Sequence, residues 1–202
     1  MDDLKNSVLE RIDSLRDEII KFHQQIVQIP SENPPGNYEE IAIFTAIKMK
    51  EIGLEVEIRE NNVVGKIENN NKHRLIFYGH YDTIKAFEGW TKDPFGGEVI
   101  DGKIYGRGSS DDKSCVTAEI FATQAILKTI PVFNGNLTLT AVGDEELGGL
   151  AGAKYLLHRK MVKGDACLLG DSPFAYPIGY CGGWNVSYLC YSRKSKSWYG
   201  FP

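Results

Sequence analysis

A chain of 202 residues, 42% apolar and 25% charged, has the composition of an ordinary globular protein and the length of one domain, or of one and part of a second. Its formal charge of −4 offers no attraction to nucleic acid or to an anionic membrane, so neither is expected as a partner. The acidic, amphipathic start MDDLKNSVLERID lacks the regions of a secretory signal, and no apolar run approaches a membrane span. Cys115, Cys167, Cys181 and Cys190 form no C-x-x-C pair, which leaves reduced thiols in a cytoplasmic protein as the expectation.

Val8, Ile12, Leu15, Ile19, Phe22 and Ile26 recur at steps of three and four, which predicts one helix with a single apolar face, stopped by Pro30. IPSENPPGNYEE reads as a loop, and Tyr38 to Ile52 as a second helix ending at Gly53. LEVEI, VVGKI and RLIFY follow as strands between Asn-rich turns. From Thr83 to Gly108 runs a long aromatic and glycine-rich connection, with turn signals at Asp93-Pro94 and Asp101-Gly102. Connections of this length are commonly functional. A helix beginning near Asp111, the strand NLTLTAV, a short helix to about Arg159 and the strand ACLLG complete a mixed α/β pattern.

The polar residues fall where these strands stop. RLIFY runs into His80 and Asp82, NLTLTAV into Asp144, Glu145 and Glu146, and ACLLG into Asp171, while Asp111 stands at a helix start after GRGSS. In open α/β sheets the carboxyl ends of the strands line the ligand crevice, so these groups are expected to converge. Crowded carboxylates repel one another unless a cation neutralises them, and imidazole with carboxylates suits zinc, with cobalt or manganese as substitutes. Asp111 is the best candidate to bridge two ions. Taken singly, each residue has a plainer reading: a helix N-terminal charge for Asp111, a solvated turn for Glu145 and Glu146, a turn former for Asp171. The repeated placement at strand ends outweighs those readings. His23, His73 and His158 lack it and read as structural or exposed, and GRGSSD carries too few glycines for a dinucleotide site.

IPSENPPG, GHYDTI, GWTKDPFGG, DGKIYGRGSSDDK, GDEELGG and LLGDSP, in that order over roughly Leu4 to Gly183, resemble the landmarks of a family of zinc amidohydrolases and exopeptidases. That family includes aminoacylase, carboxypeptidase G, acetylornithine deacetylase and succinyl-diaminopimelate desuccinylase. The resemblance implies an α/β fold, a three-layer αβα mixed sheet of the zinc exopeptidase type. It implies that His80, Asp111 and Asp171 hold one zinc ion and Asp111 and Glu146 another. Glu145 would be the general base, and Asp82 would orient the His80 imidazole from behind. The implied reaction is hydrolysis of an amide or peptide bond in an N-acyl amino acid or short peptide.

Two departures from the family pattern stand out. Asp112 occupies a position where the resemblance leads one to expect an apolar residue, and Ser114-Cys115 one where small glycines are common. The family also continues into a lid or dimerisation domain and returns with a late metal-binding histidine, whereas no histidine follows His158 here. Residues 1–183 are therefore expected to be a catalytic domain without its return segment, and 184–202 the start of the lid, with the homodimerisation domain absent. On that expectation the chain holds one ion firmly and a second weakly, and its hydrolysis is impaired. The alternative is an inactive remnant that only binds metal or a partner.

Overall fold

The computed structural model describes residues 2–69 and 73–171, and the backbone of 178–181. Segment 184–202, read above as the start of a lid, lies outside them. The single first helix of the sequence reading is two, α1 (Asp2–Ser14) and α2 (Arg16–Gln28), separated at Leu15. There the Leu15 N–H reaches Ile12 O rather than the carbonyl four residues back. The tightened turn buries the Leu15 side chain and lets both helices pack on α4 (Lys113–Thr129). The apolar stripe is accordingly uneven: Phe22, Ile26 and Val27 are buried, while α1 buries no residue.

Helix α3 (Glu39–Glu51) ends ahead of Gly53, whose φ of 96° only glycine adopts without strain. Strands β1 (Glu55–Arg59) and β2 (Asn62–Ile67) then form a hairpin closed by Glu60 and Asn61, both at positive φ. β3 (Arg74–His80) is followed by the long connection. Read above as an irregular connection with two turns, it holds a hairpin of β4 (Glu98–Ile100) and β5 (Lys103–Tyr105). Its turn is Asp101-Gly102, again with φ positive at both residues. β6 (Asn136–Val142), α5 (Ala153–His158), β7 (Ala166–Leu169) and β8 (Ile178–Cys181) complete the described elements.

The main sheet has the order β1-β2-β6-β3-β7-β8. β3 is parallel to β6 and β7, with His80 opposite Val142 and Tyr78 opposite Leu169, and the outer pairings are antiparallel. Alternation sorts side chains to two faces. Val63, Phe77, Leu137, Leu139 and Ala141 meet the helices α2, α3 and α4, where Phe22 stacks on Phe44 at 5.0 Å and meets Phe121 edge-on at 5.6 Å. Val64 and Val142 turn the other way, onto Leu156 of α5. Helices on both faces make three layers, as expected. Burying each such large aliphatic or aromatic side chain contributes about 1.5–3 kcal/mol, and β6, buried along its whole length, is the centre of the molecule.

Among the described residues no helix is long and apolar enough to cross a membrane. Cys115 and Cys167 are free thiols.

Candidate metal centre

Because β3, β6 and β7 run parallel, the residues that follow them emerge at one edge of the sheet. His80 is fully buried there. Its Nδ1 lies 3.1 Å from the Asp82 carbonyl oxygen, which can only accept, so in the neutral ring Nδ1 carries the proton and Nε2 presents a lone pair. Around Nε2 stand Asp111 Oδ1 at 3.2 Å, Glu145 Oε2 at 3.7 Å and Asp171 Oδ2 at 3.9 Å. Nε2 is buried, and none of these oxygens meets it in full hydrogen-bond geometry, Asp111 coming nearest. The ligand atoms of His80, Glu145 and Asp171 lie within 4.8 Å of one another.

A buried lone pair facing carboxylate oxygens is repulsive until something positive sits between them. The electrostatics of the site point the same way. Burial alone would hold the His80 imidazole neutral, but Asp111 and Asp82 at the ring, with the charge of Asp112, overturn that and raise its pKa to about 11. Burial, and then neighbouring acids, raise Glu145, Glu146 and Asp171, whereas the contact with His80 lowers Asp111. A divalent cation answers the same demand as the proton, and one imidazole with carboxylate oxygens is a suitable donor set.

Asp82 is fully buried, and its carboxylate has a second task. Oδ1 accepts the backbone N–H of Glu145 and Oδ2 that of Glu146, both at 3.2 Å, while Oδ1 also lies 3.3 Å from His80 Nδ1. One side chain thus sits against both the imidazole and the acidic loop. Asn33 Nδ2 donates to Asp82 Oδ2 and to Asp144 Oδ1, each at 3.3 Å. The chain around Asn33 is stitched alongside: Thr83 N–H donates to Ser31 O, Asn33 N–H to Thr83 O, and Ala86 N–H to Glu32 Oε1.

Asp112 does more than perturb the start of α4. Its carboxylate makes no helix cap, but Oδ2 accepts the backbone N–H of His80 at 3.2 Å, and burial pushes its pKa up to about 7. The strand can approach this closely because residue 79 is glycine: a Cβ there would lie 3.0 Å from Val116 Cγ2 and 3.3 Å from Asp112 Oδ2. Lys113 is buried too, with Nζ donating to Ile29 O at 2.7 Å and its pKa pushed down to about 7 by burial. His23 fastens the loop ahead of Asp111, its ring nitrogens meeting Ser109 O at 3.0 Å and Thr117 Oγ1 at 3.1 Å. It is structural, as expected, and His73 and His158 are exposed.

Of the residues singled out from sequence, His80, Asp111, Glu145 and Asp171 come together. Glu146 is the neighbour on the same loop, but its carboxylate is not in the group within 4.8 Å and faces the Ile84 backbone. Asn33 and the His80–Asp112 contact went unread in the sequence. An asparagine before two prolines signals only a turn, and no local pattern tells a buried acid from a helix-start charge.

A mixed sheet that collects a histidine and acids at the ends of parallel strands offers a donor set for a divalent cation at one edge of an α/β fold. The chain belongs to peptidase family M20/M25/M40, which residues 76–182 match. It is 41% identical over 118 residues to the succinyl-diaminopimelate desuccinylase of Rhodospirillum centenum, a match covering 56% of this chain and 30% of that one. An M20 family metallo-carboxypeptidase of Sulfolobus solfataricus is 25% identical, with a TM-score of 0.68 over 75% of this chain and 37% of that one. Human carnosine dipeptidase 1 shares the fold, with a TM-score of 0.73 at 24% identity over 85% of this chain and 41% of that one. The chain spans less than half the length of each of these proteins.

Proposed function

We propose that this chain carries the metal centre of a zinc-dependent hydrolase that cleaves the amide bond of an N-acyl amino acid or a short peptide. The observation that supports this best is the buried, unpartnered Nε2 of His80 facing carboxylate oxygens from three separate segments. On this reading His80, Asp111 and Asp171 hold one zinc ion, and Asp111 and Glu146 provide for a second. When bound, the metal supplies Lewis acidity, withdrawing charge from a carbonyl oxygen and acidifying water.

The remaining work falls to the side chains. Glu145, whose pKa is raised by burial and by nearby acids, takes a proton from the attacking water and hands it to the leaving nitrogen. Asp82 holds Glu145 and Glu146 by their amides and, with its carbonyl, keeps the His80 proton on Nδ1.

The names of the relatives suggest the first substrates to assay: an N-succinyl amino acid, then dipeptides. Zinc titration of the purified chain should approach about one tightly held ion through three protein ligands, and a protein extended to the length of its relatives should hydrolyse a member of that panel. Failure to bind zinc, cobalt or manganese would remove this reading.

A further inference from the structure

The acidic loop after β6 is held at two points. Asp82 takes the N–H groups of Glu145 and Glu146. Asp144 closes the loop on itself, its Oδ2 accepting Ala151 N–H at 2.8 Å and its carbonyl accepting Gly149 N–H at 2.6 Å. These anchors are both carboxylates, and two anions on adjoining loops repel unless a donor joins them. The donor is Asn33, which is buried and whose amide nitrogen spends one hydrogen on each. We propose that Asn33 is a positioning residue: it clamps Asp82 to Asp144 and thereby sets the loop on which the metal-centre acids stand.

The chemistry explains the residue type. The side chain must bring two N–H groups from one atom to two acceptors. A serine hydroxyl has a single hydrogen, an aspartate would add a third negative charge, and an alanine has no donor. The reach is long-range, since Asn33 comes from the loop between α2 and α3, 49 residues before Asp82 and 111 before Asp144. The backbone bonds of Ser31 and Asn33 to Thr83 fix where that loop lies, so the amide arrives with little freedom left to lose. Asn33 bonds Asp82 and Asp144, neither of which is assigned a proton transfer or a metal. It acts through the two aspartates.

The inference rests on reading the site as a metal-dependent hydrolase, but its first test needs neither metal nor turnover. Amide hydrogen exchange on the full, metal-free chain would compare the native protein with Asn33→Ala, reading Glu145, Glu146 and Ala151 against Leu139 in the centre of β6. Loss of the bridge should speed exchange at the loop amides by about tenfold, the size of one lost hydrogen bond, and leave Leu139 unchanged. Zinc affinity should fall by about 10–100-fold, as for other groups that support ligands from behind. The visible spectrum of the cobalt-substituted chain should shift as well.

Asn33→Asp should be worse than Asn33→Ala in all of these. Asp144→Gly removes the other end of the bridge while tolerating the φ of 69° at that position. Adding Asn33→Ala to it should change the Glu145 and Glu146 amides little further. Equal acceleration at Leu139 would reduce Asn33 to general support of the fold, and unchanged loop exchange would show that the bridge sets nothing. Either result overturns the proposal. A native chain that binds no metal would instead overturn the hydrolase reading and leave the exchange result standing.

Discussion

The Oδ2 atom of Asp112 lies 3.2 Å from the backbone nitrogen of His80 and accepts its N–H where both residues are buried. The start of α4 is thereby fastened to the end of β3, so the strand end that carries the imidazole is fixed by its backbone as well as by its ring. Asp112→Leu fills similar space without an acceptor and leaves the His80 N–H unpaired. We expect it to lower stability in denaturant unfolding by about 1–3 kcal/mol. Asp112→Asn, which keeps an acceptor, should lose less; equal losses would mean that packing rather than the hydrogen bond matters there.

Glu145 and Glu146 should separate functionally. Their amides share Asp82, and on the proposed reading Glu145 is the general base and Glu146 a ligand to the second ion, although it is the Glu145 carboxylate that lies with His80 and Asp171. In a protein extended to the length of its relatives, Glu145→Gln is expected to retain zinc and lose about 10²–10⁴-fold in turnover, the usual worth of a general base. Glu146→Gln should lose metal first. Zinc content and kcat measured on both variants decide the matter, and equal metal loss would contradict the division of roles.

The approach of β7 to α4 depends on the absence of a side chain at residue 170. A Cβ there would lie 1.8 Å from Cys115 Sγ and 3.1 Å from Cys115 Cβ. Gly170→Ala should therefore cost about 1–3 kcal/mol through overpacking and should displace the adjacent Asp171, weakening metal binding. Adding Cys115→Ala relieves the sulfur clash but not the contact with Cβ, so the pair should recover part of the stability. No recovery would place the strain elsewhere.

His23 provides a pH dependence from outside the group of acids at the metal centre, though it bonds Ser109, two residues ahead of Asp111. Burial lowers its pKa below the ordinary imidazole value of 6.5, assisted by the charge of Lys113 and opposed by the hydrogen bond to Ser109. The folded-state value is thus below the unfolded one. The unfolded chain gains a proton first as pH falls through 6.5, and stability present above that value is lost below it. Urea unfolding of the metal-free chain on either side of 6.5 should show the native protein losing stability relative to His23→Gln as pH falls, whatever the other titrating groups, Asp112 among them, contribute to both. An identical pH dependence in the two proteins would show that His23 contributes none of it.

The local pattern of the chain was enough to read the strands RLIFY, NLTLTAV and ACLLG, the helix after Asp111, and the acids and imidazole at the strand ends, because apolar periodicity reports directly which face of an element is buried. It was enough, too, to expect those ends to meet, since parallel strands discharge at one edge. Tertiary structure alone decided the break at Leu15, the β4–β5 hairpin, the burial of Lys113, and the partners of Asn33, Asp82 and Asp112. A short apolar run carries its periodicity within itself. A buried polar group is satisfied by whichever donor or acceptor the fold brings within about 3 Å, and for Asn33 those acceptors lie 49 and 111 residues away, beyond anything a local pattern encodes.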